Sequence, residues 1–256
     1  MSGRKSALIA WVIVLVFFIA WEIGVRLFNL PVYLLPSPSK VFVTLSQNVP
    51  MYWLASLITL GEALTGLVLG LLTGFLLASA LVMKPGLEGG VITLAILVKS
   101  TPMVAIAPLL TIWLGFGTLP KVLITALLTF FPALVNILNG LSQPDPALLD
   151  LFHSWDARRR DIFLNLRLPS ALPHIFTSLK ICAPLAMIGA VVAEWTGASG
   201  GLGRVMWLAY TNLNLPYLFG AIFILAVFGV VIYWSIDRLE KRVVFWQVIN
   251  DVELEK

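Results

Sequence analysis

The chain has 256 residues, of which 59% are hydrophobic and 12% charged, with a formal net charge of +4 and a mean hydropathy of +0.96. That is too little polar material to coat a soluble globule of this length, which excludes a soluble enzyme or regulator and places the chain in a bilayer. The positive balance follows from how Lys and Arg divide between the connections, and no nucleic-acid footprint is needed to explain it.

Spanning a hydrocarbon core of about 30 Å takes about 20 apolar residues in a helix, because every backbone polar group has to be satisfied within the segment. The alternation of a membrane β-barrel is absent, so an all-α, polytopic membrane protein is predicted. Six runs qualify in chain order: residues 7–28, 56–83, 90–116, 121–141, 172–195 and 216–236. The first follows Arg4 and Lys5, as a secretory leader would. Its length, and the lack of a small-residue cleavage site before Leu30, make it a retained anchor.

In the second run Gly66, Gly70 and Gly74 recur every four residues, a flat stripe that another backbone can approach closely. The third run contains Pro102 and Pro108. Each removes a backbone donor and is expected to bend or break the helix, and broken membrane helices often line a pathway. Charges inside the runs cost about 2.5–3.5 kcal/mol each on insertion scales. Glu62 and Lys99 are expected to be ion-paired or to snorkel to an interface. Lys180 and Glu194, in the fifth run, join Pro102 and Pro108 as candidates for a translocation path. Cys182 reads as a packing residue, so no disulfide or thiol metal cluster is expected. His153 and His174 match no zinc spacing, and no metal site is expected.

Between the fourth and fifth runs lies the most charged stretch, residues 141–174, with four Asp and four Arg. Asp145 followed by Pro146 is a helix start, an N-cap with proline at the first position. A short helix should run through Ala147, Leu148, Leu149, Leu151 and Phe152 and break near Trp155 and Asp156. Asp156 is expected to cap a second short helix that runs toward Arg167 and ends at Leu168 and Pro169, with Pro173 starting the fifth membrane helix. Ile162, Phe163 and Leu166 would form its apolar face, while Arg158, Arg159 and Arg160 point to water or to a partner. Two helices with apolar faces exceed what a solvated loop requires, so this segment is read as a docking element.

Orientation follows from counting Lys and Arg in the short connections. With a cytoplasmic N-terminus, eleven fall inside (Arg4, Lys5, Lys84, Arg158, Arg159, Arg160, Arg167, Arg238, Lys241, Arg242 and Lys256) and four outside (Arg26, Lys40, Lys121 and Arg204). Both termini and the charged loop are therefore expected in the cytoplasm.

The loop also resembles the cytoplasmic EAA loop of permease subunits of ATP-binding-cassette (ABC) importers, in which Glu-Ala-Ala is followed by three residues, Gly, eleven residues and Leu-Pro. Asp150 takes the Glu position, Leu151 and Phe152 the alanines, Asp156 the Gly, and Leu168 and Pro169 the Leu-Pro. The LP-x-x-LP ending, from Leu168 to Pro173, is characteristic. Asp tolerates the left-handed turn of the missing glycine better than most residues. YLLPSPSKVFVTL, APLLTIWLGFG and IGAVVAEWTGASGGLG resemble the branch serving nitrate, alkanesulfonates, taurine, riboflavin and thiamine pyrimidine precursors, and general likeness favours the last two. The resemblance implies ATPase coupling through Asp150, Phe152, Asp156, Ala157, Arg158, Arg159, Phe163, Leu168 and Pro169, with Phe152 and Phe163 as apolar anchors. The implied partners are a second permease copy in a homodimer, two ATPase subunits, an extracytoplasmic solute-binding protein and membrane lipid.

GASGG, residues 197–201, fits a hydrolase nucleophile pattern but follows a membrane helix rather than a strand. No Walker A sequence occurs, so ATP and Mg belong to partner subunits, this chain carries no cofactor, and it is not an enzyme. The expected architecture is six transmembrane helices in a bacterial inner membrane, with a coupling-helix loop between the fourth and fifth. Residues 1–55 supply a tail, the first helix and an external connection; 56–236 form a five-helix core with the coupling loop at 142–171; 237–256 form a cytoplasmic tail. An ion-coupled secondary transporter acting without an ATPase is the alternative.

Overall fold

The computed structural model describes the backbone of residues 2–246 and the side chains of residue 9 and residues 11–246. Arg4, Lys5 and Lys256, counted above for orientation, lie outside the described side chains. Every regular element among the described residues is helical: α1 (Ser2–Leu27), α2 (Pro38–Gln47), α3 (Val49–Met83), α4 (Glu88–Ser100), α5 (Met103–Leu114), α6 (Thr118–Ser142), α7 (Pro146–Ser154), α8 (Arg159–Ile162), α9 (Leu168–Glu194), α10 (Leu202–Thr211) and α11 (Leu215–Val243).

Four helical stretches are long and apolar enough to cross a membrane: α3, α6, the continuous Arg159–Glu194 and α11. A fifth is a broken span, Pro85–Ser100 with Met103–Leu114, bent by 89°. The remaining predicted span is α1, whose first side chains are outside the described set, so the count of six rests on that helix. The dividing points at 55/56 and 236/237 fall inside α3 and α11. α3 starts early because Pro50 suits its first turn, where no donor is needed.

The bundle is built on α6, which packs most extensively against α3 and α9. Lipid tails are as apolar as leucine, so close contact rather than hydrophobic burial holds membrane helices together, and small residues set how close they come. The glycine stripe of α3 faces α6: a Cβ at Gly66 would overlap Thr125, one at Gly70 would overlap Thr129, and one at Gly74 would press on Ala133 and Leu134 at 3.0 Å. From the other side, a Cβ at Gly189 of α9 would meet Thr125 and Leu128 at 3.0 Å. Ala133, Leu134, Ile137 and Leu141 of α6 and Cys182 of α9 are fully buried in the resulting core. The thiol of Cys182 donates to the carbonyl of Thr129 at 3.3 Å.

The prolines divide between those that interrupt a helix and those that lie within one. Pro102 does break the third run, with Thr101 before it held extended at ψ 126°. Pro108 does not, and lies inside α5. At the charged loop, Leu168 and Pro169 end nothing: Pro169 sits in the first turn of α9, Pro173 lies inside that helix, and helix continues from Arg159 to Glu194. Continuity is kept by a π turn at Phe163–Arg167. Widening the register there accommodates a residue that cannot donate and whose ring crowds the carbonyl one turn back.

A second, smaller core joins α2, α3, α10 and α11 around Tyr52, Ala55, Leu202 and Ala221. Tyr52 donates to the carbonyl of Tyr217 at 3.0 Å, and the Tyr217 hydroxyl lies 3.1 Å from Asn48 Oδ1. α1 stands apart, tied on by Trp21 against Phe219 and by Glu22. That carboxylate accepts from the Ser39 amide at 2.9 Å and the Ser39 hydroxyl at 2.8 Å, capping α2 from another helix.

Candidate functional site

The loop between α6 and α9 is a built structure. Asp145 caps α7 through its side chain, which accepts from the Ala147 amide at 2.8 Å, with Pro146 at the start. α7 stops where Asp156 turns left-handed at φ 52°. The Asp156 amide bonds the carbonyl of His153 at 3.0 Å and the Ala157 amide that of Phe152 at 3.1 Å, the paired bonds of a Schellman motif. Asp156 thus closes α7 and does not cap the next helix. The N-cap of α8 is Arg158, which makes no side-chain capping bond.

α7 buries no residue and presents Leu148 and Leu151, with Trp155 at its C-cap 68% exposed. Phe152 is half-buried, with its ring 6.0 Å from that of Trp155. Asp150, Arg158, Arg159 and Arg160 are exposed and Ala157 is half-buried. Phe163 is half-buried and packs on the main core, and Ile162 and Leu166 are buried. The exposed apolar side chains of α7 and of the residue after it are Leu148, Leu151 and Trp155, which the apolar spacing of α7 alone could have indicated.

The loop is braced on the bundle. Arg167 donates to the carbonyl of Leu141 at 2.8 Å, joining the π turn to the last turn of α6. Between α7 and the end of α3 lies a cavity of about 250 Å³, lined by Leu149, His153, Arg159, Ile162 and Arg167 and by Val82, Met83 and Pro85.

The intramembrane charges are paired inside the chain. Glu62 of α3 meets Lys121 of α6 at 2.8 Å, and both are buried, so Lys121 belongs to the bundle and not to an outer connection. Glu194 is fully buried. It accepts from the Thr59 hydroxyl at 2.6 Å and from the amide of Gly203, while the Thr59 hydroxyl accepts from the amide of Leu202 at 2.8 Å. Gly201, at φ 103°, packs against the same carboxylate, where a side chain could not fit. Glu194 therefore fastens the start of α10 to α3 and α9. Lys180 is likewise engaged, with Asp237 at 2.9 Å and Glu240 at 2.5 Å on α11, and Lys99 lies over the ring of Phe131. Pro102 lies at the break between α4 and α5, and Pro108 within α5. Among the described residues no three His, Cys, Asp or Glu side chains are grouped to hold a metal.

Residues 66–245 match the family model of the binding-protein-dependent transport system inner membrane component. The chain belongs to that family. It is a multi-pass membrane protein and the permease subunit of an ABC importer, a class that works with ATPase and binding-protein partners. This permease is 35% identical over 248 residues to the formylaminopyrimidine transport permease protein ThiX of Halalkalibacterium halodurans, covering 96% of this chain and 99% of that one. It is 31% identical to the riboflavin transport system permease protein RibX of Chloroflexus aurantiacus, covering 92% and 89%. A chain of the MetNI methionine ABC transporter, solved in inward-facing conformations, has a TM-score of 0.62 at 22% identity over 76% of the permease and 95% of that chain; at that identity the likeness is one of fold. The ion-coupled alternative gives way to the family assignment.

Proposed function

We propose that the permease forms one half of a translocation path, as a homodimer with two ATPase subunits docked on its α7 loops, and that ATP and Mg are handled on those subunits. An extracytoplasmic binding protein would deliver the solute. The loop and both termini lie in the cytoplasm in this reading, and the five-helix core from α3 to α11 is the working domain. Rocking of the bundle follows movement of α7, because the loop is braced to α6 through Arg167 and runs without interruption into α9. The solute class is the one named for the relatives, a formylaminopyrimidine-type thiamine precursor first and riboflavin second, with an alkanesulfonate, taurine or nitrate behind them.

The observation that supports coupling is a capped surface helix with unburied Leu148, Leu151 and Trp155 at the Asp150-to-Pro169 spacing. Truncating an aromatic anchor at an interface costs about 2 kcal/mol or more, tens of fold in affinity. Leu151→Ala with Trp155→Ala should leave the permease inserted and folded while abolishing co-purification with its ATPase and uptake of labelled formylaminopyrimidine. Normal uptake by the double variant would show that α7 does not couple.

A further inference from the structure

We propose that the groove between the end of α3 and the α8 turn binds an anionic phospholipid, with its phosphate on Arg160 and an acyl chain laid along α3. The groove measures about 390 Å³ and is lined by Ser79, Ala80, Met83, Arg160, Phe163 and Leu164. The Ser79 hydroxyl is engaged within its own helix, donating to the carbonyl of Phe75 at 2.8 Å. Arg160, exposed to solvent, is thus the charged residue at the edge of an otherwise apolar trough. A soluble anion has no use for the trough, and a zwitterionic lipid gains less from the cation, so the shape and charge together select an anionic amphiphile.

Position and charge agree with this. Met83 is the last residue of α3, so Arg160 stands at the level where that span ends, and the exposed Lys84 follows directly. From the groove an exposed apolar stripe runs back along α3 through Leu76, Leu72 and Val68, each more than half exposed. Met83 and Leu72 are separated by roughly 16 Å of helical rise, about one leaflet of a ~30 Å hydrocarbon core. Asp156 and Asp161 flank the arginines, yet Arg158, Arg159 and Arg160 form no ion pair among the described residues. Arg159 lines the other cavity, beside His153 and Arg167. The lipid site is therefore independent of the coupling role proposed for α7.

The neighbouring arginine supplies the control. The purified full-length permease is equilibrated with equal phosphatidylglycerol and phosphatidylcholine and the lipids retained are counted by native mass spectrometry. Phosphatidylglycerol should be retained preferentially, and Arg160→Gln should cut that preference about five-fold, the weight of one basic side chain at an anionic surface. Arg160→Lys should keep most of it, and Arg159→Gln, which removes the same charge from the other cavity, should change it less than two-fold. Equal loss in both glutamine variants would mean bulk charge attraction and overturn the site, as would equal retention of the two lipids by the unaltered protein. Loss of the preference in excess inorganic phosphate would likewise overturn it, by showing that Arg160 recognises a soluble anion without the chain.

Discussion

Asp156 holds φ 52° where α7 stops, a conformation in which any Cβ is strained and a β-branched side chain most of all. Asp156→Gly should therefore raise the thermal unfolding temperature of the purified permease, by the equivalent of about 1 kcal/mol, and Asp156→Val should lower it; equal unfolding of the two would show that the turn needs no special backbone. A larger effect is expected at Lys121, buried against Glu62. Lys121→Met leaves a carboxylate unpaired inside the bundle, for which about 3–5 kcal/mol is typical, whereas Lys121→Met with Glu62→Gln should recover most of the loss. Urea or thermal unfolding of the three forms checks the order, and a double variant no more stable than the single one would contradict it. At this scale the residue types were legible and their partners were not. Nothing in the sequence says that Glu62 meets a residue of another helix 59 positions on, or that Glu194 would be enclosed by Thr59 and the α10 amides.

Among the elements, the long apolar runs were legible because length and hydropathy decide them, and α7 because a cap and a proline mark its start. α2 and α10 were not, since neither is long enough to register as a span and both take their place from tertiary contacts: Glu22 caps one, and Glu194 and Thr59 hold the start of the other. The π turn was missed for a different reason. A proline read locally ends a helix, whereas here the wider register at Phe163–Arg167 carries the helix past Pro169. If that proline is the cause, Pro169→Ala restores a donor and lets the turn close into α register, which rotates α8 relative to α9 and weakens the Arg167 bond to Leu141. Amide exchange over residues 163–169 should slow and solute uptake should fall several-fold. Unchanged exchange would place the cause of the π turn elsewhere.

For the whole molecule, the proposed orientation makes a demand on geometry that can be read from opposite faces of the membrane. Arg159 opens α8, after α6 and before α9, and Asn212 follows α10, beyond the far end of α9. One passage through the 36-residue helix Arg159–Glu194 separates them, and at about 1.5 Å per residue that helix is longer than the hydrocarbon core is thick. The two positions therefore belong on opposite sides whatever the orientation, and the Lys and Arg count assigns Arg159 to the cytoplasm. The native thiol of Cys182 is fully buried, so background labelling should be low. In intact cells, an impermeant maleimide should modify a cysteine at Asn212 and not one at Arg159, and in inverted vesicles the pattern should reverse. Labelling of both from one side would deny that Arg159–Glu194 spans the bilayer. The opposite assignment would keep the span but put α7 outside, away from any ATPase, and the coupling role would fall with it.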